Sequence, residues 1–238
     1  MSGASADVLV GISQPTYLPW LGYFDLMDQV DVFVLLDQVQ FSRHSWQQRN
    51  RVKGANDTVV LSVPVSDTGL ATRLDEALIA DRRTITKHLT TIRQCYVRAP
   101  FASEVLPRIA EAYEAAGATL LSLTVGLIDV VRDLLGVTTP IILASTLGAT
   151  GTKDDLVRSI CSRCEATRYL AAPGSREYME AGTAFSDGRI EVVYHEYHPA
   201  EYVQLHGPFV PYLSAIDAIL NLGDGAREAM LAGRTSSA

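Results

Sequence analysis

Six short apolar runs punctuate the chain, at 8–12, 32–36, 58–65, 140–145, 168–172 and 190–197. Each is short for a helix, and most are rich in β-branched or aromatic residues, the pattern of strands. The runs at 8–12 and 32–36 are almost purely apolar, which suits strands covered by helices on both faces. The last run alternates apolar and polar positions and belongs near a sheet edge. Pro64 places the end of the third run at an edge or bulge, and Ser66-Asp67-Thr68-Gly69 closes it. Between the first two runs Pro19 is placed as the first residue of a helix, and Leu21, Phe24, Met27 and Val30 follow near helical period.

From Thr84 the period turns helical over 84–97, 101–116 and 120–135, broken at Ala99-Pro100, at Gly117 and at 136–140. Further helices are predicted over 154–166, with Thr152 as N-cap, and over 215–221 and 225–231, and the chain should fray from Arg234 onward. Alternating strands and helices predict a three-layer, Rossmann-like α/β fold. Its mostly parallel sheet would hold five or six strands, with the helical segment 84–135 inserted after the third, in one domain spanning 1–238.

Composition narrows the class. With 238 residues, 47% of them hydrophobic and 20% charged, the chain can bury a sizeable core. Its apolar runs are far shorter than a membrane span, and the run at 8–12 lacks the flanks of a signal peptide, so the cytoplasm is the expected compartment. A formal net charge of −7 argues against a general nucleic-acid binder. Arg43, Arg49, Arg51 and Lys53 form a basic island that suits a small anionic ligand, or else a solvated loop. Three cysteines make no disulfide framework, and Cys161-Ser162-Arg163-Cys164 falls within a predicted helix, where two core or partly buried thiols are expected.

Ligands of open parallel sheets bind beyond the carboxyl ends of the strands. The loops leaving the first two strands should therefore face one cleft. They supply Gln14, Tyr17, Trp20, Asp37, Gln40, Arg43, His44, Gln47, Asn50 and Arg51. Lys153, at a helix start behind small residues, and Ser175 and Arg176, behind the fifth strand, add to the binding set. His195, His198 and His206 lie close in sequence, yet their spacing lacks a helical zinc pattern, and no metal is expected. A general acid or base suits them better, with His198 and His206 as the candidates and Asp217 as an orienter to consider; His44 and the strand-end Asp37 complete the catalytic candidates. Tyr202 and His206 also join the substrate-binding set. Backbone-bonded loop histidines are the plainer alternative. A covalent acyl-enzyme is not expected, for no Gly-x-Ser-x-Gly elbow is present.

The string from Gln14-Pro15-Thr16-Tyr17-Leu18-Pro19-Trp20 to Gly22-Tyr23-Phe24, with Asp37-Gln38-Val39-Gln40-Phe41 and Gln47-Gln48-Arg49-Asn50-Arg51-Val52-Lys53, resembles the opening of the WbqC-like proteins. The resemblance resumes at His198-Pro199, Tyr202, Gln204-Leu205-His206-Gly207, Phe209-Val210-Pro211 and Leu213 to Asp217. It implies an association with bacterial surface-polysaccharide and natural-product biosynthesis, and a suggested glycine-type aminoacyl transfer. A fainter resemblance concerns Pro19-Trp20-Leu21-Gly22-Tyr23, which stands where nucleotidyltransferase-like enzymes carry His-x-Gly-His, with Trp20 and Tyr23 in place of the histidines.

Together these lead to an acyl or aminoacyl transferase acting on a sugar nucleotide or related metabolite. Arg43, Arg49 and Arg51 would bind phosphate, Gln14, Gln40 and Asn50 orient the acceptor, and His198 or His44 move the proton. The alternatives are a nucleotide-dependent ligase or nucleotidyltransferase, and a non-catalytic small-molecule-binding module. No motif names a cofactor or an oligomeric state. The expected partner is an anionic or nucleotide-linked small molecule, with an aminoacyl-tRNA as the one nucleic-acid donor to consider.

Overall fold

The computed structural model describes residues 7–66 and 72–235. Residues 67–69 of the expected turn lie outside the described residues. Five parallel strands form the central sheet: β1 (Leu9–Ser13), β2 (Val32–Leu35), β5 (Ile141–Leu143), β6 (Arg168–Ala171) and β7 (Glu191–Tyr194). Their order is β5-β2-β1-β6-β7, so the almost wholly apolar β1 and β2 sit inside the sheet and the alternating β7 at its edge. Register is fixed by pairs such as Val10 with Val32 and Val10 with Tyr169. One buried cluster, including Phe24, Phe33 and Leu127, covers one face; a second, including Val34, Ile160 and Tyr169, covers the other. The sheet is thus the middle of three layers.

The sequence-predicted third strand is not part of this sheet. β3 (Arg49–Lys53) and β4 (Thr58–Ser62) form a separate antiparallel hairpin, with Arg51 opposite Val60. The polar β3 reads as loop in sequence because its pairing comes from β4 across the Gly54–Asp57 turn, not from hydrophobic pattern. Only the alternate residues Asn50 and Val52, with Lys53, are buried on it.

α1 (Leu21–Asp28) links β1 to β2. α2 (Arg83–Tyr96), α3 (Ala102–Ala115) and α4 (Leu120–Leu134) follow the hairpin in sequence. α5 (Lys153–Arg163) and α6 (Arg176–Ala181) flank β6 in sequence, and α7 (Ala215–Leu222) and α8 (Gly225–Ala232) come last. Thr152 is the N-cap of α5 without a side-chain cap bond; Cys161 is buried and Cys164 half-buried, both as free thiols. Arg234 does not fray. It pairs with Asp25 and Asp28 on α1, and Thr235 N–H reaches the Glu196 carbonyl. An ion pair with a buried carboxylate overrides the usual loosening of a segment past the last helix. Among the described residues no helix is long and apolar enough to cross a membrane.

Candidate functional site

From β1 the chain runs to β2 on one side of the sheet, while β6 pairs with β1 on the other. Connections leaving β1 and β6 therefore diverge, and the crevice between them is where open α/β sheets take ligands. A cleft of about 500 Å³ opens there. Ser13, Thr16 and Trp20 come from the carboxyl end of β1, Gly22, Tyr23 and Leu26 from α1, and Trp46, Asn50 and Arg51 from the hairpin and its approach. Ala172, Pro173 and Gly174 leave β6, His195 leaves β7, and Tyr212 comes from the loop before α7.

Aromatic rings make much of the wall. Trp20 lies over Gly22, where an added Cβ would come within 2.4 Å of the indole. The indole meets Tyr197 edge-on at 5.3 Å and Tyr212 at 5.3 Å with a 48° tilt. Trp46 is half-exposed, with the Arg49 guanidinium 5.9 Å from its ring centre. Such rings offer flat apolar surface to a sugar or a base.

Besides Ser13, Thr16 and Asn50, two larger polar groups break this wall. His195 is buried, and its Nε2 lies 2.7 Å from Asp25 Oδ2. Asp25, fully buried on α1, also accepts from Gln29 Nε2 at 2.6 Å and, at its other oxygen, from Arg234 Nε at 2.8 Å. A carboxylate acceptor fixes the proton on Nε2, so Nδ1 keeps its lone pair. The Tyr197 ring stacks on the imidazole at 6.1 Å; burial pushes its phenol pKa up, and the charge of Asp25 adds to the rise. The second polar group is Arg51, whose Nε is buried with no hydrogen-bond partner among the described residues. A buried donor left open in a cleft wall is one that water or a ligand can satisfy.

Residues 14–229 match the model of the WbqC-like protein family. The chain belongs to that family. It is also similar to a protein of Mycobacterium tuberculosis (strain ATCC 25618 / H37Rv) named "Uncharacterized protein Rv1507c", 30% identical over 217 residues, which are 90% of this chain and 94% of that one. No solved structure matches it.

Of the residues that carry the WbqC-like resemblance, Thr16, Trp20, Gly22, Tyr23, Asn50 and Arg51 reach the cleft. Asn50 is spent on structure even there: its amide donates to the Tyr17 and Leu18 carbonyls at 3.2 and 2.7 Å. Gln47, buried, donates to Gln14 Oε1 and to the Gln40 carbonyl and accepts from Ser42 N–H, so it knits the loop after β2. Gln14 and Gln40 are exposed beside it. Tyr17 lies in the core with its hydroxyl on His88 Nδ1 and on Tyr113.

Further from the cleft, Tyr202 and Tyr96 donate to the two oxygens of Asp217, which is thereby not an orienter of His198 or His206. Burial raises the Asp217 carboxyl above its ordinary value, and it lowers the neighbouring Lys53 ammonium. His206 bonds the Cys95 carbonyl through Nε2. None of the other predicted residues lines the cleft. His198, His44, Arg43 and Lys153 are exposed; Asp37 is buried and accepts from Ser145 N–H, tying the end of β2 to the turn after β5. Ser175 bonds the Ala172 carbonyl, and Arg176 lies over the Tyr194 ring at 4.0 Å. Among the described residues no cluster of three His, Cys, Asp or Glu side chains is set to hold a metal.

Sequence reasoning passed over Asp25 and chose His198 over His195. Signals for both were present. His195 follows the last strand directly, as the strand-end rule requires, and Asp25 is a carboxylate set between Phe24 and Leu26 in the apolar stretch of a helix. Such a residue is buried only if it has partners to meet.

Proposed function

We propose that this WbqC-like protein is an enzyme that transfers an acyl or aminoacyl group of about glycine size to a hydroxyl or amine on a small anionic or nucleotide-linked sugar. The observation that carries the enzymatic part is the His195–Asp25 pair in the cleft wall. The class of group transferred comes from the family resemblance.

In this reading the acceptor oxygen or nitrogen attacks the donor carbonyl carbon and hands its proton to His195 Nδ1. Asp25 holds the imidazole and stabilises the imidazolium that forms. As the donor's carbonyl-to-leaving-group bond breaks, the same imidazolium returns the proton to the leaving group. Arg51 holds an anionic substituent through the open Nε and its remaining guanidinium donors. Trp20 and Tyr212 pack on the ring of the substrate. The base role that sequence gave to His198 and His44 passes to His195.

The test is turnover with acyl thioester or aminoacyl donors and nucleotide-sugar acceptors. His195→Asn should cut kcat by about 10²- to 10⁴-fold, the usual worth of a general base, with acceptor binding kept. Full activity of that variant would refute the assignment. A second reading, a nucleotide-dependent ligase or nucleotidyltransferase, is favoured by the position of the cleft at the strand-order reversal, where nucleotides commonly bind. Thermal stabilisation by ATP or CTP with magnesium, and none by nucleotide sugars, would select it.

A further inference from the structure

The segment after α8 reaches back across the molecule to the histidine pair. Arg234 places Nε 2.8 Å from Asp25 Oδ1 and its terminal nitrogen 2.7 Å from Asp28 Oδ2. It is held there by backbone as well: Arg234 bridges Tyr197, and His198 N–H bonds the Gly233 carbonyl at 2.9 Å. Gly233 allows this approach, for an added Cβ would lie 2.6 Å from the Tyr197 ring and 2.7 Å from the His198 carbonyl. One short stretch thus contacts both the strand end that carries His195 and the helix that carries Asp25.

We infer that Arg234 is a positioning residue for His195: through Asp25 it sets the basicity and the tautomer of the imidazole in the cleft. The inference rests on the general-base reading of His195. Its physical content is a shared charge. A buried carboxylate facing only an imidazole favours the imidazolium strongly and would hold the ring protonated near neutral pH, where it is no base. Arg234 supplies a fixed positive charge on the opposite oxygen and takes up part of that field. Its fork to Asp28 also pins the guanidinium, so the charge cannot swing away into solvent.

Other groups that bear on the pair are Asp28, Arg227 on α8, the Tyr197 phenol stacked on the ring, and Arg51 across the cleft. Arg227 is the useful contrast. It bonds Asp28 at 2.8 Å and the Leu135 carbonyl at 3.0 Å rather than Asp25, and should not move the titration. The device therefore depends on which carboxylate the arginine touches, not on local positive charge alone.

The experiment is NMR titration of the His195 ring in the full chain, assigned by loss of its signals in His195→Asn and needing no substrate. Arg234→Gln should raise the His195 midpoint by about one unit, the lower end of the effect of a close charge. Arg234→Lys, which keeps the charge but not the planar fork that meets both carboxylates, should move it the same way by less, and it carries the test if Arg234→Gln does not fold. Arg227→Gln should leave the midpoint in place. A midpoint unmoved in both Arg234 variants, or moved as far in Arg227→Gln, overturns the inference. Turnover of His195→Asn tests the underlying function separately, so a correct titration with full activity would sink that function and leave the coupling standing.

Discussion

Asp25 sits in the middle of α1 between two apolar neighbours and is wholly buried, so its charge must be met inside the protein. Gln29, Arg234 and His195 meet it. Asp25→Asn should cost about 3 kcal/mol of stability, since removing one member of a buried pair leaves the others uncompensated. Urea unfolding reads this loss, and the variant should also lose activity in parallel with His195→Asn. His88 gives a second residue-scale prediction. Burial lowers its pKa from 6.5 to about 4, against the opposing pull of the Ser62 backbone, and its Nδ1 lies 2.7 Å from the Tyr17 hydroxyl. The unfolded chain binds this proton more readily than the folded one. Stability from His88 is therefore full above pH 6.5 and is lost as pH falls toward 4, by on the order of 3 kcal/mol. His88→Gln should flatten that part of the stability-against-pH curve. The amide-rich loop after β2 teaches a caution at the same scale. Its glutamines looked like ligand-binding groups, but Gln47 and Gln48 are consumed by loop backbone and by the Val63 carbonyl.

At the scale of elements, the cleft depends on where α1 begins. Leu18, just before it, has a positive φ of 46°, a conformation costly for a branched side chain, and Asn50 on β3 clamps its carbonyl. Asn50→Ala should release that clamp and destabilise by about 1–3 kcal/mol, the usual cost of unsatisfied buried groups, as read by denaturant midpoint. Gly22 is the second control point. Alanine there would push on an indole already wedged between Tyr197 and Tyr212. Gly22→Ala should weaken ligand binding in calorimetry by about tenfold, or about 1.4 kcal/mol, while the secondary structure by circular dichroism stays native. The sheet strands were legible as apolar runs because both faces are covered. β3 was not legible, because its buried face holds Asn50 beside Val52 and its other face holds the half-buried Arg49 and Arg51, which leaves no hydrophobic stripe to read.

Across the whole molecule, distant segments of the chain are joined by buried polar contacts as well as by the apolar core. Lys53 on the hairpin donates to Gln204 Oε1 and to the Gly207 and Pro208 carbonyls, and Asp217 on α7 receives Tyr96 and Tyr202. Much of the sequence that resembles the family thus builds the scaffold behind the cleft. Lys53→Met keeps the apolar stem but takes a donor from the Gly207 and Pro208 carbonyls and from Gln204 Oε1, which Val210 N–H still serves. It should lower the urea midpoint by the equivalent of about 2 kcal/mol with the cleft residues in place. The sequence by itself determined the layered α/β class, the inner places of β1 and β2 and the edge place of β7, the family, and the expectation that strand-end loops would share one cleft. Those follow from local periodicity and from the chirality of strand connections, which act within a few residues or a single unit. Only the tertiary structure decided which histidine faces the cleft and which carboxylate orients it. Asp25, His195 and Arg234 are each spaced far apart in the chain, and hydrogen-bond geometry between such residues is set by packing, which no pattern along the sequence encodes.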